Sequence, residues 1–423
     1  TSMIRLYNYI TLILYPFLII LIIIRKLLNK EDPKRFIEKI FINKNNLNKG
    51  RNKTLWVHGA SVGEIRTFFP IINYFLKKKK INILITTSTF SSAHLVEKEF
   101  ISRKLTHKFL PLDIDFLVKN FLNTWSPKGI IFLDSEIWPN FLVNIKTKKI
   151  PIALFNARIT KKSFMRWKIV KSFAKEIFSI FDFSIVANKE TKTFLREFKA
   201  KNIKDFGNLK FMPYEKKKLN NEENLKILKN YNVWCAASIH PGEEVLAART
   251  HLMLKKKFDK IITIVIPRHL NYVNDINKVF NKFNLRTEIW SQGKKLIDKP
   301  EVIIVNSFGA MSDFFKYSRS VFIGKSTIEK LKNDSGQNPI EAARLGCKIY
   351  HGEYVSNFQD VYTILKNKNI SSQVKNSDDL FKNIQIDFKS RNRLNVKRAM
   401  FMEKMGKDIF KKTIISTKKL LVK

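Results

Sequence analysis

Leu55-Trp56-Val57-His58-Gly59-Ala60-Ser61-Val62-Gly63-Glu64 is the stretch on which the fold turns. Its apolar start, Leu55–His58, reads as a buried strand, and a helical pattern, Ile65–Leu76, follows at once. A strand that passes through a glycine-bearing turn into a helix is the opening of a β-α-β unit. Gly59 and Gly63 let the backbone of the turn approach a ligand closely, and the helix start presents free N–H groups to an anion. Glu64 stands at that helix start, where a carboxylate can take a proton from a hydroxyl. The same residues spell Gly-x-Ser-x-Gly, the turn that carries the nucleophilic serine, here Ser61, in α/β-hydrolases. In that fold several strands precede the turn, whereas only an apolar segment and a short linker precede it in this chain. A third reading makes Ser61 an ordinary helix cap.

Downstream, strand-like runs recur at Ile81–Thr87, Gly129–Leu133, Ile150–Phe155, Phe183–Ala187 and Ile203–Phe206, with helical patterns between them such as Phe164–Ile180. A polar stretch, 213–232, includes Lys216-Lys217-Lys218 and reads as a linker. The rhythm restarts with Val233–Ala237, Ile261–Ile266, Val302–Val305, Ser320–Ile323 and Cys347–Tyr350. From about Ser377 the chain is Lys-rich and amphipathic. The pattern predicts an α/β protein with two Rossmann-like parallel-sheet domains facing a cleft, at 33–212 and 233–376, followed by a helical stretch at 377–423. Ligands in such sheets bind at the carboxyl ends of the strands.

Upstream, Leu6–Ile24 is apolar apart from Asn8, Thr11 and the tyrosines, long enough to cross a bilayer as a helix. Arg25, Lys26 and Lys30 follow, so the rest of the chain is expected on the cytoplasmic side. Residues 3–30 are therefore expected to anchor the protein to a membrane. Pro16 kinks the segment or lets it lie shallow, so spanning and monotopic insertion both stay open, as does docking on the domain behind it. Thr1-Ser2, ahead of Met3, read as a cloning remnant.

With 79 Lys and Arg against 36 Asp and Glu, the chain carries a formal charge of +43, which draws it to polyanions such as an anionic membrane surface or a phosphorylated substrate. A Lys-, Asn-, Ile- and Phe-rich composition also follows from AT-rich codons. No module that reads DNA or RNA is recognisable, so nucleic acid is not an expected partner. Two cysteines, Cys235 and Cys347, form no disulfide framework and fit a reducing compartment. The seven histidines include no His-x-x-x-His pair, and no metal site is expected. Asp113-Ile114-Asp115 has the look of a metal-binding Asp-x-Asp but reads as helix capping.

Seven short strings occur in order: His58–Glu64; Ser135-Glu136-Ile137-Trp138-Pro139-Asn140; Asn156-Ala157-Arg158-Ile159; Gly207-Asn208-Leu209-Lys210-Phe211; Ala237-Ser238-Ile239-His240-Pro241-Gly242-Glu243-Glu244; Pro267-Arg268-His269; and Gly336-Gln337-Asn338-Pro339-Ile340-Glu341-Ala342. Together they resemble the 3-deoxy-D-manno-octulosonic acid (Kdo) transferase family, over nearly the whole chain. The resemblance implies a GT-B fold, CMP-Kdo as donor, a lipid A precursor such as lipid IVA as acceptor, no metal and no cofactor. It implies work at the cytoplasmic face of a bacterial inner membrane, in lipopolysaccharide core synthesis.

It also implies roles for residues. Glu64 would be the general base of an inverting transfer, with Ser61 and Gly63 in the acceptor loop. Lys210 would stabilise developing charge, and Asp134 and Glu136 would complete the catalytic set. Arg268, beside Pro267 and His269, suits two phosphate oxygens, and Ser238 and His240 would reach the same phosphate. Gly309, Ala310, Met311 and Asn338 would line the donor, and Glu341 would accept from its ribose hydroxyls. The chain departs from the family pattern at four places. Asp134-Ser135-Glu136 replaces Glu-x-Glu, Gly309-Ala310 replaces Gly-Glu, Ser335-Gly336-Gln337 replaces Gly-Gly-His, and Lys325 stands in a turn that is usually Gly-rich. The competing functions are a serine hydrolase using Ser61 and a basic membrane-bound binding protein.

Overall fold

The computed structural model describes residues 2–42, 52–213, 223–296, 300–390 and 393–422. The chain forms two compact units, Thr1–Tyr214 with Gly406–Lys423, and Glu215–Met405. The first unit runs α1 (Ser2–Leu27), β1 (Lys53–His58), α2 (Val62–Leu76), β2 (Ile81–Thr87), α3 (Phe90–Glu99), β3 (Leu105–Phe109), α4 (Asp115–Trp125), β4 (Gly129–Leu133), α5 (Pro139–Thr147), β5 (Ile152–Ala157), α6 (Lys161–Ile169), α7 (Lys171–Phe178), β6 (Phe183–Val186), α8 (Lys189–Glu197) and β7 (Ile203–Lys204). Its strands pair in parallel in the order β3-β2-β1-β4-β5-β6-β7.

The second unit runs β8 (Asn232–Ile239), α9 (Glu243–Lys255), β9 (Ile261–Pro267), α10 (Val273–Lys282), β10 (Thr287–Trp290), β11 (Val302–Val305), α11 (Met311–Phe315), β12 (Ser320–Ile323), α12 (Ile340–Arg344), β13 (Lys348–His351), α13 (Gln359–Asn367), β14 (Ser371–Gln373) and α14 (Ser377–Lys389). Its strands also pair in parallel, in the order β10-β11-β9-β8-β12-β13-β14. A last helix, α15 (Arg393–Val422), starts in this unit and finishes in the first.

Central strands are buried along their whole length, as parallel strands covered on both faces must be, and this is why they stand out as apolar runs. Phenylalanine, 35 residues in all, fills much of the space. In the first unit Trp56 is fully buried with ring centroids of Phe121, Phe132 and Phe141 at 5.0, 5.4 and 5.5 Å. Tilted and edge-on pairs of this kind contribute about 0.5–1.5 kcal/mol each beyond the area they bury.

Some sequence expectations shift. The single helix expected over Phe164–Ile180 is two, because Val170 (φ −113°, ψ 48°) leaves the helical region between α6 and α7. β5 lies two residues later than the expected Ile150–Phe155, and β7 is only two residues long. β3, β10 and β14 are additional strands; each lies at a sheet edge. Of the expected linker 213–232, residues 214–222 lie outside the described residues; a 3-10 turn, Lys226–Asn230, then leads into β8. The 377–423 stretch is α14, which packs against α9, and α15, which from Gly406 onward belongs to the first unit. Both cysteines are buried and free, and burial pushes the Cys347 thiol up to about 12, so neither is a reactive group.

Asp113 does cap a helix, but not its own. The N-cap of α4 is Ile114, which offers no side-chain cap. The Asp113 carboxylate instead accepts from the N–H groups of Asn140 (3.0 Å) and Phe141 (2.9 Å), in the first turn of α5.

Candidate active site

In each sheet the chain reverses direction of growth beside the first strand of the unit. β1 lies between β2 and β4, and β8 lies between β9 and β12. Loops leaving neighbouring strands on opposite sides of such a point splay apart, which leaves room for a ligand at the carboxyl ends. The residues singled out from sequence gather at these two points.

In the first unit they come from the ends of β1, β4 and β5. Ser61 is the N-cap of α2, with extended backbone (φ −106°, ψ 160°). Its hydroxyl accepts from the Glu64 N–H and donates to Glu64 Oε1 at 2.8 Å, while Glu64 Oε2 accepts from the Ala60 N–H at 2.7 Å. This capping box locks the carboxylate over the turn. A Cβ on Gly63 would meet nothing within 4 Å, so space lies open beside it. Burial raises the Glu64 pKa, and the charges of Asp134 and Glu136 raise it further.

Glu136 is held from the other side. Trp56 Nε1–H donates to Thr86 Oγ1 (2.8 Å), and Thr86 Oγ1 meets His58 Nδ1 (2.9 Å). His58 Nε2 and Trp138 Nε1–H both reach Glu136 Oε2, at 3.0 and 2.9 Å. His58 Nδ1 also lies 3.1 Å from the Thr86 carbonyl oxygen, which can only accept. Burial alone would raise Glu136, but the hydrogen bond and charge of His58 and the hydrogen bond of Trp138 hold it below the ordinary value.

Asp134 follows β4 directly and has positive φ (54°), which aspartate tolerates better than most residues. It accepts from Asn156 Nδ2 at 2.6 Å, and Asn156 Oδ1 accepts from the Leu209 N–H at 3.0 Å. One side chain therefore ties Asp134 to the turn that bears Lys210. Burial raises the Asp134 pKa and Glu136 adds to this, against the Asn156 hydrogen bond and the positive charges of Lys210 and Arg158. Three carboxyl groups of different proton affinity thus share one site with two cations. Environments that push neighbouring carboxyls apart mark acid–base chemistry.

In the second unit the grouping is basic. Ser238 (φ 55°) and His240 end β8, and Pro267 ends β9 beside Ile239. His240 and His269 rings lie edge-on at 5.8 Å. Burial lowers the His240 pKa, and Lys325, His269 and Arg268 lower it further against the pull of Glu243. Its Nε2 is buried without a hydrogen-bond partner. A neutral imidazole among cations, with a ring nitrogen left unbonded, suits a phosphate oxygen. Ser238 Oγ–H reaches Met311 Sδ at 3.8 Å, and Ser312 hydrogen-bonds Glu341, so α11, α12 and the end of β8 meet. Asn338 Oδ1 accepts from the Ile340 N–H at 3.0 Å and so caps α12 locally. Ala310 is fully buried, so the position that usually holds a glutamate has no open space of its own here.

Glu243 organises this site, although its sequence position suggests only a helix start. Its buried carboxylate accepts from the N–H groups of His240 (3.0 Å), Lys325 (2.7 Å), Ser326 (3.0 Å) and Thr327 (3.2 Å), and from Thr327 Oγ1 (2.9 Å). Gly324 makes the approach possible, because a Cβ there would lie 2.5 Å from Ile239 Cα and 2.7 Å from the Ser238 carbonyl oxygen. Lys325 takes positive φ (56°), a conformation costly for lysine by about 1–2 kcal/mol, held by the Glu243 contact and by Asp334 at 2.8 Å from its Nζ. Among the described residues no group of three or more His, Cys, Asp and Glu could hold a metal ion.

Two parallel-sheet units with sites at their switch points define the GT-B class of α/β proteins. Solved structures agree on the fold. A glycosyltransferase from Rickettsia africae matches with a TM-score of 0.56 at 12% identity, over 88% of this chain and 99% of that one. A UDP-GlcNAc 2-epimerase from Neisseria meningitidis matches at 0.52 and 13%, over 86% and 99%. The family model for 3-deoxy-D-manno-octulosonic-acid transferase matches residues 34–212. A 3-deoxy-D-manno-octulosonic acid transferase of Rickettsia bellii is 32% identical over 89% of each chain. One of Haemophilus influenzae is 25% identical, over 74% of this chain and 73% of its own. The chain belongs to the Kdo transferase family and is a Kdo glycosyltransferase.

Proposed function

We propose that the protein moves Kdo from CMP-Kdo to a hydroxyl of a lipid A precursor, lipid IVA, with inversion at the anomeric carbon. The observation that carries this reading is the Glu64 carboxylate, held at the first switch point with its pKa raised by burial and two neighbouring carboxyls. The acceptor oxygen attacks the anomeric carbon of Kdo, its proton passes to Glu64, and the carbon–oxygen bond to the phosphate breaks with its electron pair leaving on CMP. Lys210 and Arg158 offset negative charge on the acceptor side; Arg268, His269, His240 and Lys325 receive the phosphate. Glu341 accepts from the ribose hydroxyls. No metal takes part in this scheme, so EDTA should leave turnover unchanged.

We place the reaction at the cytoplasmic face of a bacterial inner membrane, as a step of lipopolysaccharide core synthesis. α1 is the one described helix long and apolar enough to cross a membrane, and cations follow it. The serine hydrolase reading loses its support, because Ser61 Oγ–H donates to Glu64 and not to a histidine.

Incubation with CMP-Kdo and lipid IVA should release CMP and yield Kdo-bearing lipid, counted by mass spectrometry. Glu64→Gln should lower kcat by about 10²–10⁴-fold while CMP affinity holds. Unchanged turnover would remove Glu64 from the mechanism. Absence of any product, with both substrates bound, would end the assignment of substrates.

A further inference from the structure

α1 has two faces that its composition does not reveal. Tyr7, Thr11, Tyr15 and Ile22 recur one or two helical turns apart and so share one side. That side docks on the first unit. Tyr7 Oη–H donates to Asp113 Oδ2 at 2.9 Å, Asn140 Nδ2 donates to Thr11 Oγ1 at 3.3 Å, and Tyr15 Oη–H donates to the Ile40 carbonyl at 2.9 Å. Ile22 is buried. Past these contacts the helix end is tied again: Arg25 Nε pairs with Glu31 at 2.7 Å, and Glu31 also holds Lys39 Nζ at 2.5 Å.

The opposite side is bare. Leu6, Ile13, Phe17, Ile20, Ile24 and Leu27 are each between 47% and 74% exposed. Phe116, edge-on to Tyr15 at 5.3 Å, and Phe41, next to Ile40, extend the apolar surface beyond the helix at 41% and 62% exposure. A continuous patch of this size is an interaction surface.

The length of the docked side decides between two ways of meeting a bilayer. From Tyr7 to Arg25 the helix rises about 27 Å, at about 1.5 Å per residue. That is nearly the full hydrocarbon thickness of about 30 Å. A helix crossing the bilayer while fastened over this length would carry Asp113, Asn140 and the start of α5 into hydrocarbon at one end, with the Glu31–Lys39 pair at the other. A helix lying flat buries its bare side in acyl chains, keeps its docked side against protein, and sets a chain of charge +43 beside anionic headgroups.

We infer that α1 lies in the plane of a single leaflet of an anionic bilayer, as a strip fastened along the first unit, and does not cross. This rests on the membrane attachment proposed above, and it puts the first unit on the lipid surface from which its acceptor is drawn.

The full chain with single spin labels at Leu6→Cys, Ile13→Cys and Ile24→Cys, bound to phosphatidylethanolamine–phosphatidylglycerol vesicles, tests it. Cys235 and Cys347 are buried and stay unlabelled. Flotation reports attachment, and turnover reports that each labelled protein is folded. The expected result is one common shallow depth for all three labels, with Met3→Cys open to an impermeant maleimide added outside. Flotation with Ile13 deepest, and Leu6 and Ile24 near opposite surfaces, would overturn the in-plane arrangement and leave attachment standing. No flotation would overturn both.

Discussion

The two switch points use one backbone plan with opposite charge. At the end of β1 the first unit gathers Glu64, Asp134 and Glu136; at the end of β8 the second gathers His240, Arg268, His269 and Lys325. The parallel sheet decides where a ligand can sit, and the loop side chains decide what kind. Even the capping glutamates follow this rule. Glu64 and Glu243 both lie in the first turn of the helix after the first strand. Glu64 is half-buried beside open space, whereas Glu243 is buried and saturated by four amide N–H groups and a hydroxyl. The same residue in the same place is left beside open space in one unit and is scaffolding in the other.

The contrast is broken most directly at Glu243. Removing its carboxylate leaves the amide groups of His240, Lys325, Ser326 and Thr327 without their acceptor. Glu243→Ala should therefore cost about 3 kcal/mol or more and lower Tm by about 6–12 °C in a thermal melt. Glu64→Ala should change Tm far less while abolishing most turnover. Equal melting of the two variants would show that the roles are not divided as described.

Arg268→Ala sharpens the basic side. Loss of a charged hydrogen bond to phosphate should weaken CMP binding about 10–100-fold by calorimetry, with lipid binding unaffected. Unchanged CMP affinity would take Arg268 out of the donor site.

pH separates the carboxyls. Glu64 must be ionised to accept a proton, and its pKa is raised, so kcat should climb with pH along a limb above the ordinary 4.5 of a glutamate. The stability sign is opposite: a raised carboxyl binds its proton more tightly when folded, so its contribution falls as pH rises through that limb. An acid limb at or below 4.5 would assign the profile to Glu136, whose pKa is lowered.

The smallest effect is expected at Ser61. Ser61→Ala removes an N-cap and should cost about 1 kcal/mol by denaturant titration, with turnover kept within about tenfold. Loss of all activity would return the hydroxyl to the chemistry.

Legibility of the fold followed burial. β4, β11 and β12 are covered on both faces, so their apolar runs coincide with the strands. β3 (Leu-Thr-His-Lys-Phe), β10 (Thr-Glu-Ile-Trp) and β14 (Ser-Ser-Gln) are edge strands with polar residues on a half-open face, and no run marks them. In the candidate site, Glu64, Glu136, Lys210, His240 and Arg268 were legible because each lies in a recognisable string, and Asp134 because it directly precedes one. His58 and Asn156 lie in such strings too, but what they bind comes from 78 and 53 residues away, as with Glu136 and Leu209. Glu243 looked like a helix start because its acceptors' partners, 82 to 84 residues on, are backbone groups that any sequence supplies.

By itself the sequence determined two parallel α/β units, the family, and a set of candidate residues in the turns at the strand ends, because strand periodicity and short motifs are local properties of the chain. Tertiary structure alone decided which carboxyl gains or loses proton affinity, which glutamate is scaffold, and which side of α1 is bare. Those depend on burial and on partners distant in sequence, and no local pattern encodes either.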